Sequence, residues 1–211
     1  MKKVYLYLIC LLVSIAACKK KDVIPEEIPP EPKEDIVQIS TTYGDMYIWL
    51  YKATPLHRDN FLKLAKEGYY NNTTFHRIIS DFMIQGGDPN SKDTDPNNDG
   101  QGGPGYTIPA EIRDSIKHER GALGAARTNN PTKASSGSQF YICHSTSGTA
   151  QLNNNYTVFG MVMKGQNVID SVVIQPKNAN DRPDTDIKMQ VKVLQKSKTE
   201  IKADYGYDAK L

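Results

Sequence analysis

Short apolar runs, separated by loops rich in Gly, Asn and Pro, make up most of this chain after residue 35. The runs FYIC at 140–143 and YTVFGMVM at 156–163 have the length and the residue types of β-strands. Apolar residues recur at helical spacing in only two places, after Pro55 and around residues 166–172. Many short strands with only two helices predict a mainly β domain, built as a closed antiparallel barrel or as a sandwich.

The start of this domain has clear local signals. Residues 36–51 (IVQISTTYGDMYIWLY) alternate apolar and polar side chains on both sides of Gly44-Asp45, which predicts a hairpin with its turn at these two residues. Thr54 and Pro55 suit the N-cap and the first position of a helix, and Gly68 suits its end. The sequence therefore predicts two strands followed by a helix.

The N-terminus has the features of an export signal. Lys2 and Lys3 precede an apolar run, residues 4–17, that is too short to span a bilayer as a stable helix. Small residues directly before Cys18 resemble the lipobox of bacterial lipoproteins, in which cleavage makes the cysteine the lipidated N-terminus. We expect residues 1–17 to be a signal peptide and Cys18 to anchor the protein to a membrane of the bacterial cell envelope, facing the periplasm. The alternative is an ordinary secretory signal in which Cys18 is incidental.

Composition divides the rest of the chain into three segments. Residues 18–35 include DVIPEEIPPEPKED, with four prolines and six acidic residues, which predicts an extended tether. Residues 36–196 suit one domain with a single core, and residues 197–211 remain as a C-terminal tail. Removing residues 1–17 takes two of the 26 basic residues and none of the 24 acidic ones, which leaves 24 of each. A neutral chain gives no electrostatic reason to expect nucleic-acid binding.

The usual metal-binding and nucleophile patterns do not occur in the sequence. Asp95, Asn97 and Asp99 imitate the start of an EF-hand calcium loop, but Tyr106 stands where the bidentate carboxylate is needed. The four histidines are scattered without the paired spacing of a zinc site. Cys143 lies within an apolar run and is expected to be a core residue. We therefore expect neither a metal nor a cofactor.

Two long polar side chains interrupt the apolar stretch FHRIISDFMIQGGD at residues 75–88. Arg77 and Gln85 are unusual there, because a buried strand has little reason to carry such groups. A second intrusion occurs in GSQFYIC at 137–143, where Gln139 precedes two aromatic residues. From composition alone, Arg77 could belong either to a structural ion pair or to a functional site.

These two stretches, in this order, resemble the signature segments of cyclophilin-type peptidyl-prolyl cis/trans isomerases. The similarity extends over most of residues 36–196 and includes PGYTIPAEI at 104–112 and RGALGAART at 120–128. The resemblance implies a closed eight-stranded antiparallel barrel capped by two α-helices, with the substrate groove on its outer face. It also implies rotation about X-Pro peptide bonds as the activity, without a cofactor.

The resemblance assigns roles residue by residue. Arg77 matches the catalytic arginine and Gln85 a polar residue of the groove. Phe82, Met83 and Leu152 match residues of the proline pocket. Tyr141 stands where many members have phenylalanine, and Tyr156 where well-known eukaryotic members have histidine. The positions that contact the substrate backbone in the family are occupied here by Ala126, Arg127 and Gln139.

The expected partners are proline-containing peptides and unfolded exported proteins, bound by a monomer that reaches the membrane through its lipid. Two other readings use the same residues differently. A proline-peptide binding module or holding chaperone would use the groove without needing Arg77 for catalysis. A structural lipoprotein of the envelope would show neither activity nor peptide binding.

Overall fold

Ten strands and three α-helices form the part of the chain that the structure, a computed structural model, describes, which is residues 29–209. The signal peptide, the lipid site at Cys18 and the tether up to residue 28 lie outside these residues. The strands are β1 (Lys33–Thr41), β2 (Gly44–Leu50), β3 (Phe75–Ile79), β4 (Met83–Gly86), β5 (Thr107–Ile108), β6 (Ala122–Ala125), β7 (Ser135–Ser136), β8 (Phe140–Cys143), β9 (Val158–Lys164) and β10 (Gln190–Ser197). The helices are α1 (Pro55–Lys66), α2 (Gln166–Val173) and α3 (Lys198–Tyr205).

Eight of these strands form one antiparallel sheet in the order β10-β1-β2-β9-β6-β8-β4-β3, while β5 pairs only with β7. The expected closure of the barrel is wrong, because β3 and β10 remain the two edges of an open half-barrel. The free edge of β3 meets a segment that is not a strand: Ile78 donates its backbone N–H to the Asp181 carbonyl at 2.8 Å, and Thr74 forms an isolated bridge with Lys188. Pro183 within this segment has no N–H to donate, which favours isolated contacts over a continuous ladder.

The hairpin of β1 and β2 is confirmed, with two differences in its bounds. Gly44 already pairs with Thr41 as the first residue of β2, so the turn falls at residues 42–43 and not at Gly44-Asp45. β1 begins at Lys33, opposite Ser197 of β10. The last three residues of the segment expected to be a tether are therefore part of the sheet.

Helix α1 begins at Pro55 as expected, but Thr54 makes no side-chain cap. The carboxylate of Glu111 instead accepts the backbone N–H groups of Leu56 and His57 at 3.1 and 3.0 Å. A buried carboxylate at this end satisfies free N–H groups and matches the positive end of the helix dipole. A residue more than fifty positions away thus fixes the start of the helix.

A third helix, α3, corrects the expectation of two. Ser197 and Glu200 form a capping box at its start, and Gly206 ends it in a left-handed conformation with φ of 66°. The Ile201 side chain is fully buried, which stabilises the packing of the helix against the sheet. This part of the expected C-terminal tail is therefore ordered secondary structure. No helix within residues 29–209 is both long and apolar enough to cross a membrane.

The sheet separates two apolar clusters, because successive side chains of a strand point to opposite faces. Phe140 and Ile142 of β8 join the larger cluster, which also holds the apolar faces of α1 and α2. Tyr141 and Cys143 of the same strand join the smaller cluster on the other face. Phe82, Leu152 and Tyr156 pack against this smaller cluster while remaining partly exposed, which places the groove there.

Candidate active site

Three neighbouring strands bring Arg77, Gln85 and Tyr141 into one row on the face with the smaller cluster. Arg77 of β3 lies opposite Gln85 of β4, and Gln85 lies opposite Tyr141 of β8. Directly opposed residues in antiparallel strands project to the same side of the sheet. The strand register therefore explains why polar residues interrupt otherwise apolar strands.

This row forms one wall of a small cavity of about 120 Å³. Nine of the residues that the sequence singled out line it: Arg77, Phe82, Met83, Gln85, Ala126, Arg127, Tyr141, Leu152 and Tyr156. The tenth, Gln139, lies directly behind them and accepts a hydrogen bond from Gln85 Nε2 at 3.1 Å. The structure thus brings together all ten candidate residues within residues 29–209, although the role of each stays a prediction.

The Arg77 side chain is exposed and makes no ion pair and no hydrogen bond to any other residue in the range 29–209. The structural ion pair that composition left open is therefore not formed in this part of the chain. A guanidinium has five N–H donors and stays charged at all physiological pH values. Its donors at the edge of the cavity are available to a ligand.

The side-chain amide of Gln139 forms hydrogen bonds to other groups of the protein. It is 8% exposed, and its Nε2 donates to the carbonyl oxygens of Gly100 and Gly102 at 3.0 and 2.8 Å. With its Oε1 bound to Gln85, this side chain links the loop at residues 93–103 to strand β4. Gln139 therefore organises the groove, while the free Oε1 of Gln85 is the better placed group for a ligand.

Arg127 and Tyr156 form the opposite rim. The Arg127 guanidinium stacks on the Tyr156 ring at 4.5 Å from its centroid and donates from Nε to the Asn155 carbonyl at 3.0 Å. A short 3-10 turn at Ala150–Leu152 precedes this rim, and Leu152 O accepts the backbone N–H of Tyr156 at 3.1 Å. Ala126 donates its own N–H to Gln139 O at 3.0 Å, so its backbone is already paired. The rim is thus held in place before any ligand binds.

The floor of the cavity contains an arrangement that the sequence did not indicate. The Tyr141 hydroxyl lies 2.8 Å from His118 Nε2, and His118 Nδ1 lies 2.8 Å from Asn153 Oδ1. Because Asn153 Oδ1 can only accept, Nδ1 carries the proton and Nε2 accepts from the Tyr141 hydroxyl. Burial lowers the pKa of His118 and raises the pKa of Tyr141 well above its usual value, so both are neutral at pH 7.

Gly124 makes room for the tyrosine ring. A Cβ at this position would lie 2.3 to 2.5 Å from the Tyr141 atoms Cζ, Cε2 and Oη. The absence of a side chain at Gly124 therefore allows a tyrosine to fill this part of the floor. In the sequence, the glycine of the run ALGA is the one residue that indicates close packing at this point. Nothing in the sequence identifies His118 and Asn153 as neighbours of Tyr141.

The site has the groups for non-covalent chemistry only. Cys143 lies behind the floor, and burial raises the pKa of its thiol to about 11, which leaves the sulfur protonated and unreactive at neutral pH. Residues 29–209 contain no group of three His, Cys, Asp or Glu side chains that could hold a metal ion. A cavity that fits a small ring against Phe82, Met83 and Leu152, with an unpaired cation at its edge, can bind a ligand and donate a hydrogen bond to it.

Comparison with known proteins gives the same family as the motifs. The family model for cyclophilin type peptidyl-prolyl cis-trans isomerases matches residues 36–193. The isomerase cypE of Dictyostelium discoideum is 39% identical over 160 residues, which are 74% of this chain and 95% of that protein. The isomerase-like 1 protein of Neurospora crassa is 38% identical over 157 residues, 72% of this chain and 90% of that protein.

Longer relatives and a solved structure extend this comparison. The isomerase-like 2 protein of Rhizopus delemar is 37% identical over 163 residues, but the chain covers only 28% of its length. A cyclophilin type isomerase of Cryptosporidium parvum, crystallised in the presence of the dipeptide Ala-Pro, superposes with a TM-score of 0.67 at 33% identity. That comparison covers 75% of this chain and 98% of the other. The chain therefore belongs to the family of cyclophilin-type peptidyl-prolyl cis-trans isomerases.

Proposed function

We propose that this isomerase holds the proline of an X-Pro bond in the 120 Å³ cavity and accelerates rotation through a hydrogen bond from Arg77. The observation that carries the proposal is the guanidinium of Arg77, which has no partner within residues 29–209, at the edge of a cavity that Phe82, Met83 and Leu152 also line. A residue kept for stability would be expected to have a partner in the protein. An arginine that binds a ligand needs N–H groups that have no partner in the protein.

The chemistry follows from the electronic structure of the amide. Rotation about the peptide bond has a barrier of about 18–20 kcal/mol, because the nitrogen lone pair is delocalised into the carbonyl. In the twisted transition state the prolyl nitrogen regains its lone pair and becomes an acceptor. A donor that bonds to the nitrogen only in this state stabilises the transition state more than the bound peptide, which is the condition for catalysis.

The remaining residues bind and orient the peptide. Phe82, Met83, Tyr141 and Leu152 surround the pyrrolidine ring with apolar surface. The free Oε1 of Gln85 accepts a donor from the substrate or orients Arg77. Arg77 is exposed in the free protein, and once a bound peptide excludes water from it, the lower local dielectric strengthens its charged hydrogen bond. No bond is formed or broken, so neither a nucleophile nor a metal is needed.

We further propose that the enzyme works on exported proteins outside the cytoplasm, as a lipid-anchored monomer. The support is the N-terminal sequence: a short apolar run, small residues before Cys18, and a segment rich in proline and acid. Between Cys18 and the start of β1 at Lys33, an extended chain would reach about 45 Å at about 3.1 Å per residue. This distance would let the groove meet unfolded chains near a membrane.

The proposal is tested by measuring catalysis and binding on one sample. Exchange spectroscopy by NMR on an Ala-Pro peptide reports both the rate of cis/trans interconversion and the affinity. We expect exchange much faster than the uncatalysed process, which takes tens to hundreds of seconds. Binding without acceleration would identify a proline-peptide binding module, and neither binding nor acceleration would favour a structural lipoprotein.

A further inference from the structure

A second and larger cavity, of about 440 Å³, lies beside the proline cavity. The two share Arg77 and Gln85, and the second continues past His76 to Asp99, Asn180 and Arg182. Its walls are the loop at residues 93–103 and the segment between α2 and β10. The proline cavity has Phe82, Met83 and Leu152 in its lining, whereas nearly every side chain that lines the second cavity is polar.

An ion pair connects the two walls of this cavity. Arg182 Nε lies 2.7 Å from Asp99 Oδ2, and Arg182 Nη2 lies 2.8 Å from Asp186 Oδ1. The Asp99 side chain is only 6% exposed, so solvent screens this pair weakly. The acidic loop is thus fixed to the opposite wall by Arg182, and the cavity is formed before a ligand arrives. Preformed sites bind with a smaller loss of conformational entropy.

Buried polar atoms without a protein partner border the cavity. Both ring nitrogens of His76, which is 6% exposed, and Oδ1 of Asp99 form no hydrogen bond within residues 29–209. Such atoms are unfavourable in a dry site unless water or a ligand satisfies them. A ligand that offers polar groups, or that retains bridging water, is therefore favoured over an apolar one.

The charges around the cavity balance. Arg77, Arg182 and Asp99 line the cavity, and Asp186, which lies outside the lining, pairs with Arg182, so these four groups sum to zero. Burial lowers the pKa of His76, so this side chain adds no charge at pH 7. A basic ligand would meet the guanidinium of Arg77, and an acidic one would meet the carboxylate of Asp99. The balance favours an uncharged ligand with both donors and acceptors, which describes a carboxamide.

We propose that this polar cavity is a specificity subsite for the side chain of an asparagine or glutamine next to the isomerised proline. The inference rests on the proposed function, because it needs the proline to occupy the cavity that shares Arg77 and Gln85. An extended peptide advances about 3.3–3.6 Å per residue, so the side chain that enters belongs to a residue one or two positions from the proline. The subsite gives the enzyme a preference among X-Pro sites that the proline cavity alone does not provide.

The test compares peptides and protein variants in one matrix. In an alanine peptide with one proline, each of the four positions within two residues of the proline is replaced in turn by Gln, Leu, Glu or Lys. The full chain is tested as wild type and as Asn180→Leu, which places an apolar group on the wall of the cavity. Asn180 is exposed and its side chain makes no hydrogen bond within residues 29–209, so we expect the fold to be retained. Asn167→Leu, at an exposed asparagine of α2 outside both cavities, is the matched control.

We expect glutamine at one of these positions to raise kcat/KM by about threefold to tenfold over leucine, glutamate and lysine. Asn180→Leu should abolish this preference and leave turnover of the all-alanine peptide unchanged, while Asn167→Leu should keep it. The subsite is refuted if no position prefers glutamine, or if Asn180→Leu retains the preference. Turnover of the all-alanine peptide by the wild type reports separately on the proposed function, so a failure of the subsite alone is recognisable.

Discussion

Replacing Gly124 with alanine tests whether the floor of the proline cavity is built as described. The new Cβ would lie 2.3 to 2.5 Å from three atoms of the Tyr141 side chain, where ordinary contacts need about 3.5 Å or more. The ring must therefore move by about 1 Å, and overpacking of this kind destabilises by about 1–3 kcal/mol. The movement also breaks the 2.8 Å hydrogen bond to His118, which adds about 1–3 kcal/mol when buried groups lose their partner.

We expect Gly124→Ala to lower the free energy of unfolding by about 1–5 kcal/mol, after the gain of about 0.4–1 kcal/mol that Gly→Ala gives through the unfolded chain. Urea denaturation followed by circular dichroism measures this change, and KM for a proline peptide should rise because the cavity is reshaped. Gly103→Ala is the matched control, since its Cβ would meet nothing closer than 3.8 Å and its φ is not positive. A Gly124→Ala protein as stable as the Gly103→Ala protein would refute the packing argument.

Two further predictions concern acid stability and the anchor. Burial lowers the pKa of His57, His76 and His118 below the ordinary value of 6.5, so as the pH falls below 6.5 the unfolded chain takes up protons that the folded protein does not. The unfolding free energy should therefore be lower at pH 5.5 than at pH 7.5 in urea titrations, and equal or higher stability at pH 5.5 would contradict this. Cys18→Ala should move the protein from the membrane fraction to the soluble fraction, because the neutral domain and the acidic tether offer no other strong membrane affinity; retention in membranes would contradict the anchor.

Local signals allowed the sequence to predict the hairpin, helix α1 and helix α2, because alternation, proline and glycine act over a few residues. The ordered motifs then placed all ten candidate side chains around one site. The predicted closure of the barrel was wrong. Closure depends on how β3 meets the segment before β10, which is more than a hundred residues later in the chain. In that segment Pro183 and isolated hydrogen bonds take the place of a continuous ladder. Ser197 and Glu200 form the S-x-x-E pattern of a capping box, which is a local sequence signal for the start of α3.

Contacts between distant segments account for what the sequence could not show about the site. Glu111 caps α1 across more than fifty residues, and its type gives no indication of that role. His118 accepts the hydrogen bond of the Tyr141 hydroxyl, and an isolated histidine in a sequence gives no indication of the residue that it contacts. The polar cavity likewise depends on Arg182 meeting Asp99, 83 positions apart in the chain. The sequence presented Asp95, Asn97 and Asp99 only as an incomplete EF-hand pattern, and the ion pair from Asp99 to Arg182 explains how this loop borders the groove.

The role of Arg77 is tested most directly by measuring kcat/KM, peptide affinity and melting temperature on the same Arg77→Ala protein. We expect kcat/KM to fall by about 10²- to 10³-fold, as when one preorganised donor is removed, with a much smaller change in affinity. The melting temperature should stay close to that of the wild type, because Arg77 has no partner within residues 29–209 to lose. Arg77→Lys should be impaired as well, since an ammonium lacks the planar fork.

Arg113→Ala is the matched control for this measurement, because Arg113 is an exposed arginine that donates only to the Ala53 carbonyl and lies outside both cavities. It should retain full activity. An Arg77→Ala protein that is folded and nearly as active as Arg113→Ala would remove Arg77 from the mechanism and contradict the account.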